Sequence, residues 1–136
     1  MYTGFVVDAS VIVAALVDSG RDGSWAEDIL SGGHLAAPEL AILESLNILR
    51  RLEAAGQLTE LEAAAARQDL HDLDLELAPV RPLEERIWAL RRNLTAYDAC
   101  YVAVAEALDE PLATLDRRLA AAPGLKCTVV TPPKRP

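Results

Sequence analysis

The chain has 136 residues, 51% of them apolar, which suits one ordinary domain with a sizeable core. Its net charge of -8 comes from 21 acidic residues against 13 Lys and Arg, and it argues against a plain nucleic-acid-binding module, because backbone phosphates repel an acidic surface over distance. It leaves room for carboxylates that hold divalent cations, since a bound cation reverses the local field, and for a basic partner.

FVV, at 5–7, is a short β-branched and aromatic run that reads as a buried strand. SVIVAALVDSG follows as a helix closing near Gly20. SWAEDILSGG reads as a second helix, with Ser24 as its cap and Glu27 as the capping-box partner. HLAAP is extended, and Pro38 suits the first turn of the next helix. ELAILESLNILRRLEAAG is a strong helix ended by Gly56, and LTELEAAAARQDLHDL is another, with Thr59 as cap and Glu62 three residues on. LELAPV is the next strand, and LEERIWALRRN is a helix after Pro82. LTAYDACYVAVAEALD is a further helix broken before Pro111. PLATL is a strand, DRRLAAA a short helix and KCTVVTP the last strand. Residues 1–131 are expected as a single domain and 132–136 as a short flexible tail. Helices that separate short apolar strands point to an α/β fold with a parallel sheet covered on both faces.

Two cysteines, Cys100 and Cys127, exclude a disulfide scaffold and are expected as buried free thiols. No basic leader precedes Asp8 and Asp18, and no apolar run approaches the roughly 20 residues of a membrane span, so the cytoplasm is the expected location.

In open α/β sheets, sites form beyond the carboxyl ends of the strands. Asp8 follows the first strand and Asp116 follows PLATL, so both fall at that edge. Each has a structural alternative as a helix N-cap, and Ser10 can cap the first helix as well as Asp8 can. Thr114 precedes Asp116 by two residues and faces the opposite side unless the strand has already ended. At about 100° per residue, Leu40, Glu44, Asn47 and Arg51 share one helix side, and Ile42, Leu46 and Leu49 share the other. Contacts with Asn47 or Arg51 are the structural alternative for Glu44. Leu94, Tyr97, Tyr101, Val104 and Leu108 make the expected core stripe of the helix that carries Asp98. Thr95 and Asp98 have capping-box spacing, which gives Asp98 a structural alternative too.

Four acids that converge cannot all stay ionised cheaply, and a divalent cation is the usual remedy. Hard oxygen ligands suit Mg2+ or Mn2+. His34 and His71 stand in unrelated contexts, so no zinc-type cluster is expected. The glycines at 32–33 lack the GK[ST] sequel of a phosphate loop, and no G-x-S-x-G elbow occurs. Three basic pairs, Arg50 with Arg51, Arg91 with Arg92 and Arg117 with Arg118, read first as surface ion-pair partners. Arg117 and Arg118 start a helix just after Asp116 and are the best placed to meet a phosphate. Core packing is the first expectation for Trp25 and Trp88, with a partner groove or a dimer contact as the alternative.

VVDAS, PELAILESLNILRR, LTAYDACYVAVAEAL and PLATLDRRL, in that order over nearly the whole chain, resemble the PIN-domain ribonucleases, and more narrowly the VapC toxins of bacterial toxin–antitoxin pairs. The family's acids correspond to Asp8, Glu44, Asp98 and Asp116, with no departure at any of them. Ser10 and Thr114 match its accompanying hydroxyl residues, and Asn47 with the arginines after it matches its usual helix ending. The resemblance implies a three-layer α/β/α sandwich around a parallel sheet of four or five strands. It also implies a homodimer, Mg2+-dependent cleavage of RNA, and an inhibiting antitoxin of the VapB type. Asp8 and Asp98 are the first choices for direct metal contact. Glu44 either ligates or orients the attacking water, and Asp116 acts through water or completes a second site. An interaction module of the same fold without useful catalysis is the alternative.

Overall fold

The computed structural model describes residues 3–134. The end of the expected tail, Arg135 and Pro136, lies outside the described residues. In chain order the elements are β1 (Gly4–Val7), α1 (Ala9–Val17), α2 (Arg21–Leu30), β2 (His34–Pro38), α3 (Leu40–Ala54), α4 (Glu60–Asp72), β3 (Glu76–Ala78), a 3-10 turn (Arg81–Leu83), α5 (Glu84–Ala89), α6 (Ala96–Leu108), β4 (Leu112–Ala113), α7 (Arg117–Ala120) and β5 (Val129–Val130).

The strands form one five-stranded sheet in the order β3-β2-β1-β4-β5, with every neighbouring pair parallel. Val6 at its centre pairs with Ala36 on one side and Leu112 on the other. Crossovers between parallel strands are right-handed, so the direction of each step selects the face that carries its helix. From β1 the chain steps outward through β2 to β3, which puts α1 to α4 on one face. It then returns past β1 and steps the other way through β4 to β5, which puts α5 to α7 on the opposite face. The packing agrees: α1 touches α2, α3 and α4, while α5 packs on α6. The result is the expected α/β/α sandwich, and its direction reverses between β1 and β4.

Local chemistry explains where the elements stop. Thr59 caps α4 through the Glu62 N–H, and the Glu62 carboxylate accepts from the Thr59 N–H, a complete capping box. Gly56, at φ 76°, turns the chain after α3, so that the Gln57 N–H reaches the Leu52 carbonyl at 2.9 Å. Other boundaries differ from expectation. Helix α2 starts at Arg21, three residues before Ser24, because the Asp18 carboxylate accepts the Gly20 N–H at 2.7 Å and turns the chain early. Pro38 ends β2 and is buried; the helix begins after it.

The α6 core is not a stripe. Ala99 through Ala105 are all buried, since the small alanines let neighbours close in on several sides, while Tyr97 and Leu108 are exposed. On α3 the buried line runs through Ala41, Ser45 and Leu49, and Leu46 lies outside it. Trp25 packs partly against the core, but Trp88 is 67% exposed, with the Arg91 guanidinium 4.5 Å from its ring centre. Cys100 is buried and Cys127 half-buried, both free. Pro132, in the expected tail, is buried, and its carbonyl accepts from Arg117 at 2.6 Å. Among the described residues no helix is long and apolar enough to cross a membrane.

Gly23 closes the corner between α1 and α2. A Cβ there would lie 1.8 Å from the Asp18 carbonyl oxygen, which is backbone and cannot swing away. Gly23→Ala is therefore expected to lower unfolding stability by about 1–3 kcal/mol, read from denaturant midpoints.

Candidate functional site

All five strands point their carboxyl ends to one edge of the sheet. Asp8 is the first residue beyond β1, and Asp116 lies just beyond β4 as the N-cap of α7. A helix that follows a parallel strand begins at that same edge. Glu44, near the start of α3, and Asp98, in the first turn of α6, are thereby carried to it from the two opposite helical layers. The four carboxylates line a single cleft of about 360 Å³ together with Ser10, Asn47, Arg51 and Tyr101. It opens where the sheet reverses direction, between β1 and β4.

Asp8 is the anchor, at 9% exposure. Its Oδ1 accepts from the Ser10 hydroxyl at 2.5 Å and from the Val11 N–H at 3.1 Å, and its Oδ2 accepts from the Thr114 hydroxyl at 2.5 Å. Each hydroxyl is itself held: Ser10 Oγ accepts the Leu115 N–H at 3.2 Å, and Thr114 Oγ1 accepts the Asp116 N–H at 3.0 Å. Two side chains thus tie the loop after β1 to the loop after β4. Strand β4 has ended at Ala113, which frees Thr114 to turn inward. Asp8 is at once the cap of α1 and a wall of the cleft, so its structural and functional readings describe the same atom positions.

Burial pushes the Asp8 carboxyl above its ordinary value, the Ser10, Thr114 and Val11 donors pull against that rise, and the Asp98 charge adds to it. Asp98 is also raised, first by burial and then by the neighbouring charge of Asp116, with Arg118 opposing.

Glu44 bonds neither expected partner. Asn47 Oδ1 accepts from Arg50 Nε at 3.0 Å, and Glu44 Oε1 instead accepts the Tyr101 hydroxyl at 2.5 Å. Tyr101 was legible from sequence only as a core residue, yet it stands one turn beyond Asp98 on α6 and its hydroxyl reaches the cleft. Burial first, and then Glu44, raise its phenol pKa. The basic residues divide. Arg117 is engaged with the Pro132 carbonyl and with Thr131 Oγ1. Arg118 is 94% exposed with Nε 3.5 Å from Asp116 Oδ1, a pair that water screens heavily. Arg51 is the one cation among the described lining residues.

Four carboxylates against one arginine leave the cleft short of positive charge. The donor set suits a hard divalent cation in kind, being carboxylate and hydroxyl oxygens with no thiol or imidazole. His34 is paired with Glu76 at 2.8 Å, and His71 lines a separate groove. Among the described residues no three acidic, histidine or cysteine side chains form a ready-made metal shell.

The sequence model of the PIN domain matches residues 5–125. Ribonuclease VapC1 of Mycobacterium tuberculosis is 43% identical over 125 residues, which cover 91% of this chain and 94% of that protein. The crystal structure of PAE2754 from Pyrobaculum aerophilum superposes with a TM-score of 0.69 at 27% identity, covering 93% of this chain and 83% of that one. A toxin–antitoxin complex from Klebsiella pneumoniae matches with a TM-score of 0.62 at 21% identity, covering 97% of this chain and 100% of the matched one, and shows likeness of fold.

Thr114→Val keeps shape but leaves Asp8 Oδ2 without its donor in a buried place. It is expected to cost about 1–3 kcal/mol of stability, measured by chemical denaturation in chelator. Asp98 yields a signed pH dependence. Its folded pKa is raised, so between the unfolded value near 3.8 and the folded one the native state binds more protons, and stability falls as pH rises through the folded pKa. Asp98→Asn removes that penalty. In EDTA the variant should melt above the parent at neutral pH, and the advantage should shrink toward zero as the buffer approaches the unfolded carboxylate pKa.

Proposed function

The chain belongs to the PIN-domain family, and from that membership we propose that it is a Mg2+-dependent endoribonuclease, the toxin of a toxin–antitoxin pair. The observation that carries the reading is the gathering of Asp8, Glu44, Asp98 and Asp116 around one cleft. Those residues would hold the cation, Asp8 and Asp98 directly, with Mn2+ able to replace Mg2+. When bound, it would supply Lewis-acid activation of water and of the phosphodiester.

The chain's own groups do the rest. Asp8 is fixed by three donors before any ligand arrives, so little reorganisation is needed during reaction. Glu44 keeps Oε1 on Tyr101, which leaves Oε2 to contact the cation or accept a hydrogen bond from the attacking water. Asp116 acts through water at the outer side, where its own N–H is tied to Thr114. Arg51 in the lining, and Arg118 at the rim, offset the charge of an entering phosphate. Arg117 is the weaker choice for RNA because its guanidinium already secures the C-terminal segment.

We further propose cytoplasmic action, a homodimer, and inhibition by an antitoxin of the VapB type. These readings rest on membership of the PIN-domain family.

Purified chain should cut a susceptible RNA in Mg2+ and stop in EDTA. Asp98→Asn should stay folded and lose about 100-fold or more of that rate. Undiminished cleavage in EDTA would contradict the metal reading. A parent that captures an antitoxin yet cuts no RNA in Mg2+ or Mn2+ would favour the non-catalytic module instead.

A further inference from the structure

We propose that Tyr101 is a positioning residue that fixes which oxygen of Glu44 is presented to the cleft. The inference rests on the nuclease reading above, and it adds to the four acids a group that touches neither cation nor RNA.

The Tyr101 ring is 2% exposed and belongs to the main core, while its hydroxyl lines the cleft. The ring alone would serve the core as phenylalanine does. A buried phenol costs stability unless its hydroxyl is paired. Here the partner is the Glu44 carboxylate, at 2.5 Å. One hydroxyl therefore joins the acid of α3 to the helix that carries Asp98. Helices α3 and α6 come from opposite layers of the sandwich, and this bond ties them across the edge of the sheet.

Glu44 needs such a tie. It is a long side chain, half-buried, on a helix whose next polar residues are otherwise engaged or unbonded to it. Among the described residues Tyr101 is the one hydrogen-bond donor recorded on its carboxylate. Released, the carboxylate would sample several rotamers, and each presents a different oxygen to the cleft.

The test is Tyr101→Phe in the full chain, alone and combined with Glu44→Gln. Mn2+ alone is titrated into chelator-stripped protein by calorimetry, and kcat and KM are measured on one RNA. The expected result is a chelated melt close to the parent's, Mn2+ binding weakened about tenfold, and kcat lowered about tenfold with KM nearly unchanged. In the Glu44→Gln background the same change should alter Mn2+ affinity less than about twofold, because an amide leaves no second carboxylate oxygen for the tie to present. Parent-like Mn2+ affinity and kcat in Tyr101→Phe would overturn the proposal. So would a full-sized effect that persists in the Glu44→Gln background. A parent that cuts no RNA contradicts the nuclease reading and not this one, which the Mn2+ cycle tests by itself.

Discussion

The structure turns on one buried carboxylate. Asp8 sits where the central strand ends, and it is held by two hydroxyls and a backbone N–H. Without those donors, an acid at that depth would be neutral or would destabilise the fold. With them it stays in place, and the donors do more than solvate it. Ser10 and Thr114 accept N–H groups from the loop after β4, so the same four-part network that makes Asp8 tolerable also positions Asp116. Remove either hydroxyl and the two strand ends lose one of their two side-chain fastenings. The anchor of the site and the seam of the fold are the same atoms.

The topology then supplies the remaining acids. Reversal of the winding direction between β1 and β4 leaves a crevice that no crossover fills, and helices from both layers begin at its rim. Glu44 and Asp98 arrive from opposite sides because α3 and α6 occupy opposite layers. Gathering acids at this edge has a cost: burial first, and the charge of a neighbouring acid after it, displaces Asp8 and Asp98 upward. Capping offsets part of it, since Asp8 and Asp116 each accept a backbone N–H at a helix start. Four of the 21 acidic residues line the cleft, with Arg51 among them and Arg118 beside Asp116, an arrangement that fits the proposed cation.

Much of this was legible in the residues. The order of strands and helices followed from short apolar runs between amphipathic stretches. Thr59 with Glu62, Gly56, Thr95 and Asp116 marked helix ends by chemistry that needs no tertiary context. Asp8 and Asp116 could be placed at the functional edge because a strand precedes each. Legibility stopped where contacts are non-local. Ser24 looked like a cap, but a carboxylate of the preceding turn had already started the helix. Tyr97 looked buried by periodicity, but the alanines of α6 let the sheet and α5 share its core and left Tyr97 outside. Tyr101 matched the core pattern truly and so concealed its second role, since its partner lies 57 residues away on another layer. The inward turn of Thr114 depended on how soon a two-residue strand ended.

The central claim is that the four carboxylates constitute a cation site anchored on Asp8. A crystal of the chain grown in Mn2+, with anomalous difference data, tests it most directly. The account predicts Mn2+ in the cleft, in direct contact with Asp8 and Asp98, with the Ser10 and Thr114 bonds to Asp8 still in place. A cleft empty of Mn2+ at saturating concentration, or an ion bound there without Asp8, would contradict it.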